Sequence, residues 1–242
     1  MKSTRIFQTG HFEVGQHILL SPEAGLHVGV VLRMQPGELL TLFCGDNREF
    51  QASITDVHKK RVTVRIDNIQ LIDRESHCGI HLAQSISKGD RMEWVIQKAV
   101  ELGVKSITPL ITERCVVRLD EERLAKKHHQ WQAISIAACE QSGRNQLPII
   151  YPTTSFEIYT QQCDAFTKLI LHPDATLSWR NIQFVAGDIA LLIGPEGGLS
   201  EAEIKFAILN QFKALTLGPR VLRTETAAIA ALSILQAMGG DL

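Results

Sequence analysis

The segment Ile189–Ile193 (IALLI) empties directly into Gly194-Pro195-Glu196-Gly197-Gly198, and that junction constrains the fold more than any other stretch. An uninterrupted apolar run suits a strand buried on both faces, as in a parallel sheet covered by helices. A helix is expected next, because Ser200 and Glu203 stand in capping-box spacing. The loop then lies at the carboxyl end of its strand, where ligands of open α/β sheets gather. Glycines there let the backbone take otherwise costly dihedrals and come close to a ligand. The same residues also make a plain strand-to-helix turn, and the loop alone does not separate the two readings.

The pattern repeats on both sides of that loop. Ile80–Ile86, Ile107–Ile111, Lys168–Leu171 and Ala214–Leu217 read as strands. Arg91–Leu102 has helical spacing through Met92, Val95, Ile96, Ala99 and Val100 and is stopped by Gly103, and Asp120–Ser142 is a long helix ended by Gly143. Strands alternating with helices imply a parallel sheet with crossover helices. Residues 1–73 differ. Glu38–Cys44, Glu49–Val57 and Arg61–Ile72 are alternating strands, with turn chemistry at Gly45-Asp46-Asn47, and short strands with tight turns suggest a small barrel. The expected division is therefore 1–73 and 74–242.

Charge and cysteine usage exclude several classes. With 25 basic and 26 acidic residues the net charge is −1, so nucleic acid is not bound by bulk charge alone. The five cysteines are dispersed without a C-x-x-C pair, and the nine histidines are spread along the chain, so neither a disulfide framework nor a metal site is expected. No apolar run is long enough to span a membrane. The opening Met1-Lys2-Ser3 leads into polar residues and not into a signal-peptide apolar region, which makes the cytoplasm the expected location.

The glycine loop lacks both the Walker pattern and G-x-G-x-x-G, and Glu196 would repel a pyrophosphate. A neutral or zwitterionic ligand read by backbone amides and carbonyls suits it better. A second loop, Leu217–Thr226 (LGPRVLRTET), follows the strand Ala214–Leu217 and opens the helix Ala227–Met238, with Thr224 or Thr226 expected as its N-cap. Arg220 and Arg223 beside Glu225 are either a solvated rim or a site.

Together the two loops resemble the signature of the SPOUT class of RNA methyltransferases, and more narrowly of the RsmE family. The resemblance also runs through Arg91-Met92-Glu93-Trp94, Gln97–Gly103, Thr112-Glu113-Arg114-Cys115, Trp131 and Ala138–Arg144, with a looser match at His27 and Val31-Leu32-Arg33. Cys115 stands where the family commonly has serine. The resemblance implies an α/β chain with a C-terminal trefoil-knotted methyltransferase domain and a small N-terminal RNA-binding β-barrel of PUA or OB type. It implies S-adenosylmethionine as cofactor, a homodimer, and methylation of uridine N3 in 16S ribosomal RNA of the small ribosomal subunit. The cofactor would be enclosed by Leu171 and His172, by Leu192, Gly194, Glu196 and Gly197, and by Leu217, Gly218, Val221, Leu222 and Thr226. Other SPOUT activities, at a ribose 2′-oxygen or a purine nitrogen, are the near alternative. A non-catalytic RNA-binding or assembly factor is the distant one.

For such a reaction Arg223 is the expected charge-stabilising group, since a guanidinium stays protonated and offers paired donors. Glu225 is a candidate base, but a first-turn position favours its carboxylate form, and simple helix stabilisation fits it equally. Expected RNA contacts are Arg5, Arg33, Lys98, Glu140, Gln141 and Arg144. Glu140 and Arg144, at i and i+4, could instead form an exposed ion pair, Lys98 could be solvated surface, and Lys59-Lys60-Arg61 reads as a hairpin turn.

Overall fold

A computed structural model describes residues 4–116, 120–182 and 187–242. The opening Met1-Lys2-Ser3 lies outside the described residues. Two compact units result: Met1–Glu75 with Cys139–Leu147, and Ser76–Ala138 with Pro148–Leu242.

The first unit contains β1 (Thr4–Phe7), β2 (His17–Leu19), a short helix α1 (Pro22–Leu26) running into a π-helical turn at His27–Val31, β3 (Leu39–Phe43), β4 (Arg48–His58) and β5 (Arg61–Leu71). Its sheet has the order β1-β3-β4-β5-β2, with β1 and β3 parallel and the other ladders antiparallel. The expected small barrel is thus, among the described residues, a five-stranded sheet whose end strands do not pair. Period-two alternation builds its core: Val62, Val64 and Ile66 are fully buried, packed with Leu40, Leu42, Phe50 and Ile54. Gly25 and Gly29 are required by close approach. A Cβ on Gly25 would stand 2.1 Å from the Lys60 carbonyl oxygen, and one on Gly29 2.4 Å from that of Lys59.

Cys139–Leu147 joins this unit through polar bonds. Arg5 donates to Glu49 (2.5 Å), to Asn145 Oδ1 (2.5 Å) and to the Arg144 carbonyl (3.2 Å). Asn145 donates to the Ile72 carbonyl (2.7 Å), Arg74 to Glu49 and to the Gly143 carbonyl (3.0 Å), and the Phe7 N–H to Glu140 (2.9 Å).

In the second unit, β6 (Ile80–Ser85), α2 (Arg91–Glu101), β7 (Ser106–Ile111), α3 (Glu121–Ser142, its last turn in the first unit), β8 (Ile149–Ile150), β9 (Thr154–Ser155), α4 (Phe156–Gln162), β10 (Thr167–Leu171), β11 (Leu177–Ser178), β12 (Ile189–Ile193), α5 (Glu201–Leu209), β13 (Lys213–Thr216) and α6 (Thr224–Gly239) follow in order. The sheet order is β11-β13-β10-β12-β6-β7-β8, with β9 also on β7, and every described ladder is parallel. The expected α/β fold with crossover helices is therefore present. β12 is central and buried throughout, as its apolar run requires. Leu192, Ile170, Ala83 and Leu110 pack with Phe156, Phe212 and Ala207 in the core.

Candidate active site

The glycine loop leaves β12 and is fixed at both ends. At its far end Ser200 and Glu203 form the expected capping box: the Ser200 hydroxyl accepts from the Glu203 N–H (3.2 Å), and the Glu203 carboxylate accepts from the Ser200 N–H (2.8 Å). The same buried carboxylate accepts from the Glu113 N–H (2.8 Å), and Arg114 donates to the Gly197 carbonyl (3.2 Å). The loop is thereby tied to the chain that follows β7.

The second loop corrects one expectation. The helix α6 begins at Thr224, with Arg223 in extended conformation as its N-cap and no side-chain cap bond. Thr224 does not cap because its hydroxyl is engaged elsewhere: it donates to the Gly194 carbonyl (2.6 Å) and accepts from Gln84 Nε2 (3.0 Å). Gln84 is fully buried at the carboxyl end of β6, so a relay of two hydrogen bonds joins a strand and both loops.

A second tie is ionic. Arg91 bonds Glu196 of the first loop (2.6 Å) and lies 3.8 Å from Glu225 of the second, while the Lys88 N–H donates to Glu196 (2.9 Å). Burial alone would raise the Glu196 carboxyl. The N–H groups of Glu196 and Lys88 and the Arg91 guanidinium together hold it below the usual carboxylate range. One oxygen of the Glu225 carboxylate, Oε2, is buried without a hydrogen-bond partner among the described residues.

Between the loops lies a cavity of about 610 Å³. Of the residues anticipated for a cofactor, Leu171, His172, Gly194, Glu196, Leu217, Gly218, Val221 and Leu222 line it, and so do Arg223 and Glu225. Three anticipated residues stand apart. Leu192 is buried in the sheet core, Gly197 turns its carbonyl to Arg114, and Thr226 faces a neighbouring recess. Asp174 and Thr216 line the cavity without having been singled out, as do Arg91 and Arg114, which the sequence marks only as part of the resemblance; Gln84 bonds Thr224 at its wall. A polar side chain ending an otherwise apolar strand was the available signal for Gln84.

The residues anticipated for RNA are dispersed. Arg33 and Gln141 are exposed. Lys98 is paired with Glu101 on its own helix (2.8 Å). Arg5 is engaged by Glu49 and Asn145, and Arg144 is buried with its Nε donating to Glu75 (3.1 Å). The exposed Glu140–Arg144 pair considered above does not form, because Glu140 turns to the Phe7 N–H. Burial raises the Glu140 carboxyl despite that bond. Among the described residues no group of three or more His, Cys, Asp or Glu is placed to hold a metal, and no helix is long and apolar enough to cross a membrane.

The cavity has the volume of a small-molecule site and is lined by apolar side chains, loop backbone, carboxylates and the arginines Arg91, Arg114, Arg220 and Arg223. Those features fit a nucleoside bearing charges of both signs, such as S-adenosylmethionine with its carboxylate, ammonium and sulfonium.

Comparison with known proteins gives the same direction. Residues 74–236 match the family model of the RNA methyltransferase domain, and residues 20–67 that of the RNA methyltransferase PUA domain. Ribosomal RNA small subunit methyltransferase E of Buchnera aphidicola (from Acyrthosiphon pisum) is 36% identical over 241 residues, covering 99% of this chain and 95% of that protein. The enzyme of the same name from Bacillus subtilis is 32% identical, covering 86% and 84%. Among solved structures, ribosomal RNA small subunit methyltransferase E from Neisseria gonorrhoeae, bound to S-adenosylmethionine, is 40% identical with a TM-score of 0.93 over the whole of both chains. A Legionella pneumophila protein described as a methyltransferase, in complex with the same cofactor, is 57% identical with a TM-score of 0.98, again over both whole chains. Near-full-length identity of this order, together with both domain matches, places the chain in the ribosomal RNA small subunit methyltransferase E family.

Proposed function

We propose that this chain is an S-adenosylmethionine-dependent methyltransferase acting on N3 of a uridine in 16S ribosomal RNA. The observation that carries this reading is the cavity between Gly194–Gly198 and Leu217–Thr226, lined by ten of the residues that the family resemblance assigns to cofactor binding or catalysis. When bound, S-adenosylmethionine supplies a methyl group already activated on a sulfonium for in-line displacement. The chain's own part is positioning and charge. The Gln84–Thr224–Gly194 relay fixes the distance between the two loops, and Arg91 draws their carboxylates together. Arg223, at the cavity wall, stabilises the negative charge that spreads over the uracil carbonyl oxygens as the N3 proton passes to the Glu225 carboxylate or to solvent water.

The same reading includes the knotted path of the methyltransferase domain, a homodimer and a cytoplasmic location. These rest on the resemblance to the SPOUT class and on a ribosomal substrate. In the first unit the exposed cations Arg33 and Lys59-Lys60-Arg61 are the RNA contacts we assign, in preference to Arg5, whose guanidinium is held by Glu49 and Asn145.

Mass spectrometry of 16S ribosomal RNA from a strain lacking the gene, before and after incubation with the protein and S-adenosylmethionine, tests the function. Appearance of N3-methyluridine is expected. A new ribose methyl or a methylated purine would replace this reading with that of another SPOUT activity.

A further inference from the structure

Beside the cofactor cavity, in the same unit, a second and shallower recess of about 550 Å³ is lined by Lys88, Arg91, Trp94, Glu225 and Thr226. Arg91 and Glu225 belong to both cavities, so the two spaces adjoin across one ion pair. Trp94 is conspicuous for its helix. Its neighbours Met92, Val95, Ile96, Ala99 and Val100 on α2 are buried, yet the indole is 44% exposed and turned to the recess. An exposed indole face flanked by cations and a carboxylate is not a surface that water selects.

We propose that this recess receives the acceptor uracil, stacked on Trp94, with its N3–H edge turned to the Glu225 carboxylate. The proposal rests on the methyltransferase reading above. A nucleobase taken out of its stack needs a flat apolar surface to replace its lost neighbours, and an aromatic side chain provides one. Uracil carries an N3–H donor between two carbonyl acceptors. Its complement is an acceptor flanked by donors: the Glu225 carboxylate lines the recess with its side chain 17% exposed, and Arg91 and Lys88 stand beside it. Cytosine presents a lone pair at N3, which would face the carboxylate and be repelled. The recess therefore favours uracil through Glu225 and holds it through Trp94, beside the cavity from which the methyl group comes.

Methyl-transfer kinetics with unmethylated small-subunit RNA, on full-length Trp94→Ala and Trp94→Phe, test the assignment. Trp94→Ala should lose about tenfold to hundredfold in kcat/KM for RNA, the size expected for one base–aromatic stack. Trp94→Phe should recover most of the loss, and calorimetry should find S-adenosylmethionine affinity unchanged in both variants, because Trp94 lies outside the cofactor cavity. Wild-type kinetics in Trp94→Ala would overturn the proposal while leaving the functional reading intact. So would a loss of activity accompanied by dissociation of a dimer in light scattering, which would make the recess a contact with a second copy. Failure of the wild-type protein to form N3-methyluridine overturns the functional reading and this assignment together.

Discussion

The Thr224 hydroxyl donates to the Gly194 carbonyl across 2.6 Å, joining the first residue of α6 to the first residue of the glycine loop. Thr224 is buried and Gly194 half-buried, and the fully buried Gln84 donates to the same hydroxyl. Thr224→Val keeps the shape and removes the bonds. Leaving one Gln84 N–H and the Gly194 carbonyl without this partner should cost about 1–3 kcal/mol. The expected result is S-adenosylmethionine binding weakened about tenfold or more, with Thr224→Ser close to wild type. Equal affinity in the valine variant would show that the loops hold their spacing without the relay.

Acidification should act on the neighbouring ion pair. The folded-state pKa of Glu196 lies below its ordinary value of 4.5, so the stabilisation from its donors is complete above that value and is lost as pH falls through the lower one. Cofactor affinity should therefore be flat from neutral pH down to about 5 and weaken below it. Glu196→Gln should bind more weakly at neutral pH and lose much of the acid dependence. Calorimetry across this range checks both.

Gly25 sets two effects against each other. Alanine is favoured over glycine in a helix by about 1 kcal/mol. Here its Cβ would stand 2.1 Å from the Lys60 carbonyl oxygen, a backbone atom of the β4–β5 turn. Overpacking of this kind typically costs about 1–3 kcal/mol and requires the turn to move. Gly25→Ala should lower the melting temperature; a rise would mean that the turn yields freely.

Arg144 separates a structural role from an RNA-binding one. Its side chain is 7% exposed and paired with Glu75. Removing one member of a buried pair costs about 3–5 kcal/mol, so Arg144→Ala should be strongly destabilised in urea unfolding. Gln141→Ala, on the exposed face beside it, should stay within about 0.5 kcal/mol of wild type. An Arg144→Ala protein of normal stability with weakened RNA binding would reverse this assignment.

Periodicity made much of the architecture legible. Val62, Val64 and Ile66 announced β5, and the apolar run Ile189–Ile193 announced a central parallel strand, because each pattern reports directly on which faces are covered. Legibility failed where a side chain answers to a distant partner. Thr224 looks like a cap in isolation, but its hydroxyl is claimed by Gly194. Glu140 and Arg144 have ion-pair spacing, but each finds a partner more than sixty residues away, in Phe7 and Glu75. Gln84 and Trp94 each break an apolar or buried pattern, but what they do depends on what the sheet and the helix bring beside them.

The placement of Cys139–Leu147 in the first unit has a consequence for how the chain is made. A ribosome releases Glu49, Arg5 and Arg74 early, yet Asn145 and the Gly143 carbonyl emerge only after about 70 further residues. At elongation rates of about 5–20 residues per second, the nascent N-terminal sheet waits several seconds with a buried carboxylate and two guanidinium groups incompletely satisfied. Vectorial synthesis thus makes completion of the first unit depend on translation of much of the second, and a stalled or truncated chain ending near residue 75 would lack the residues that close its own polar network.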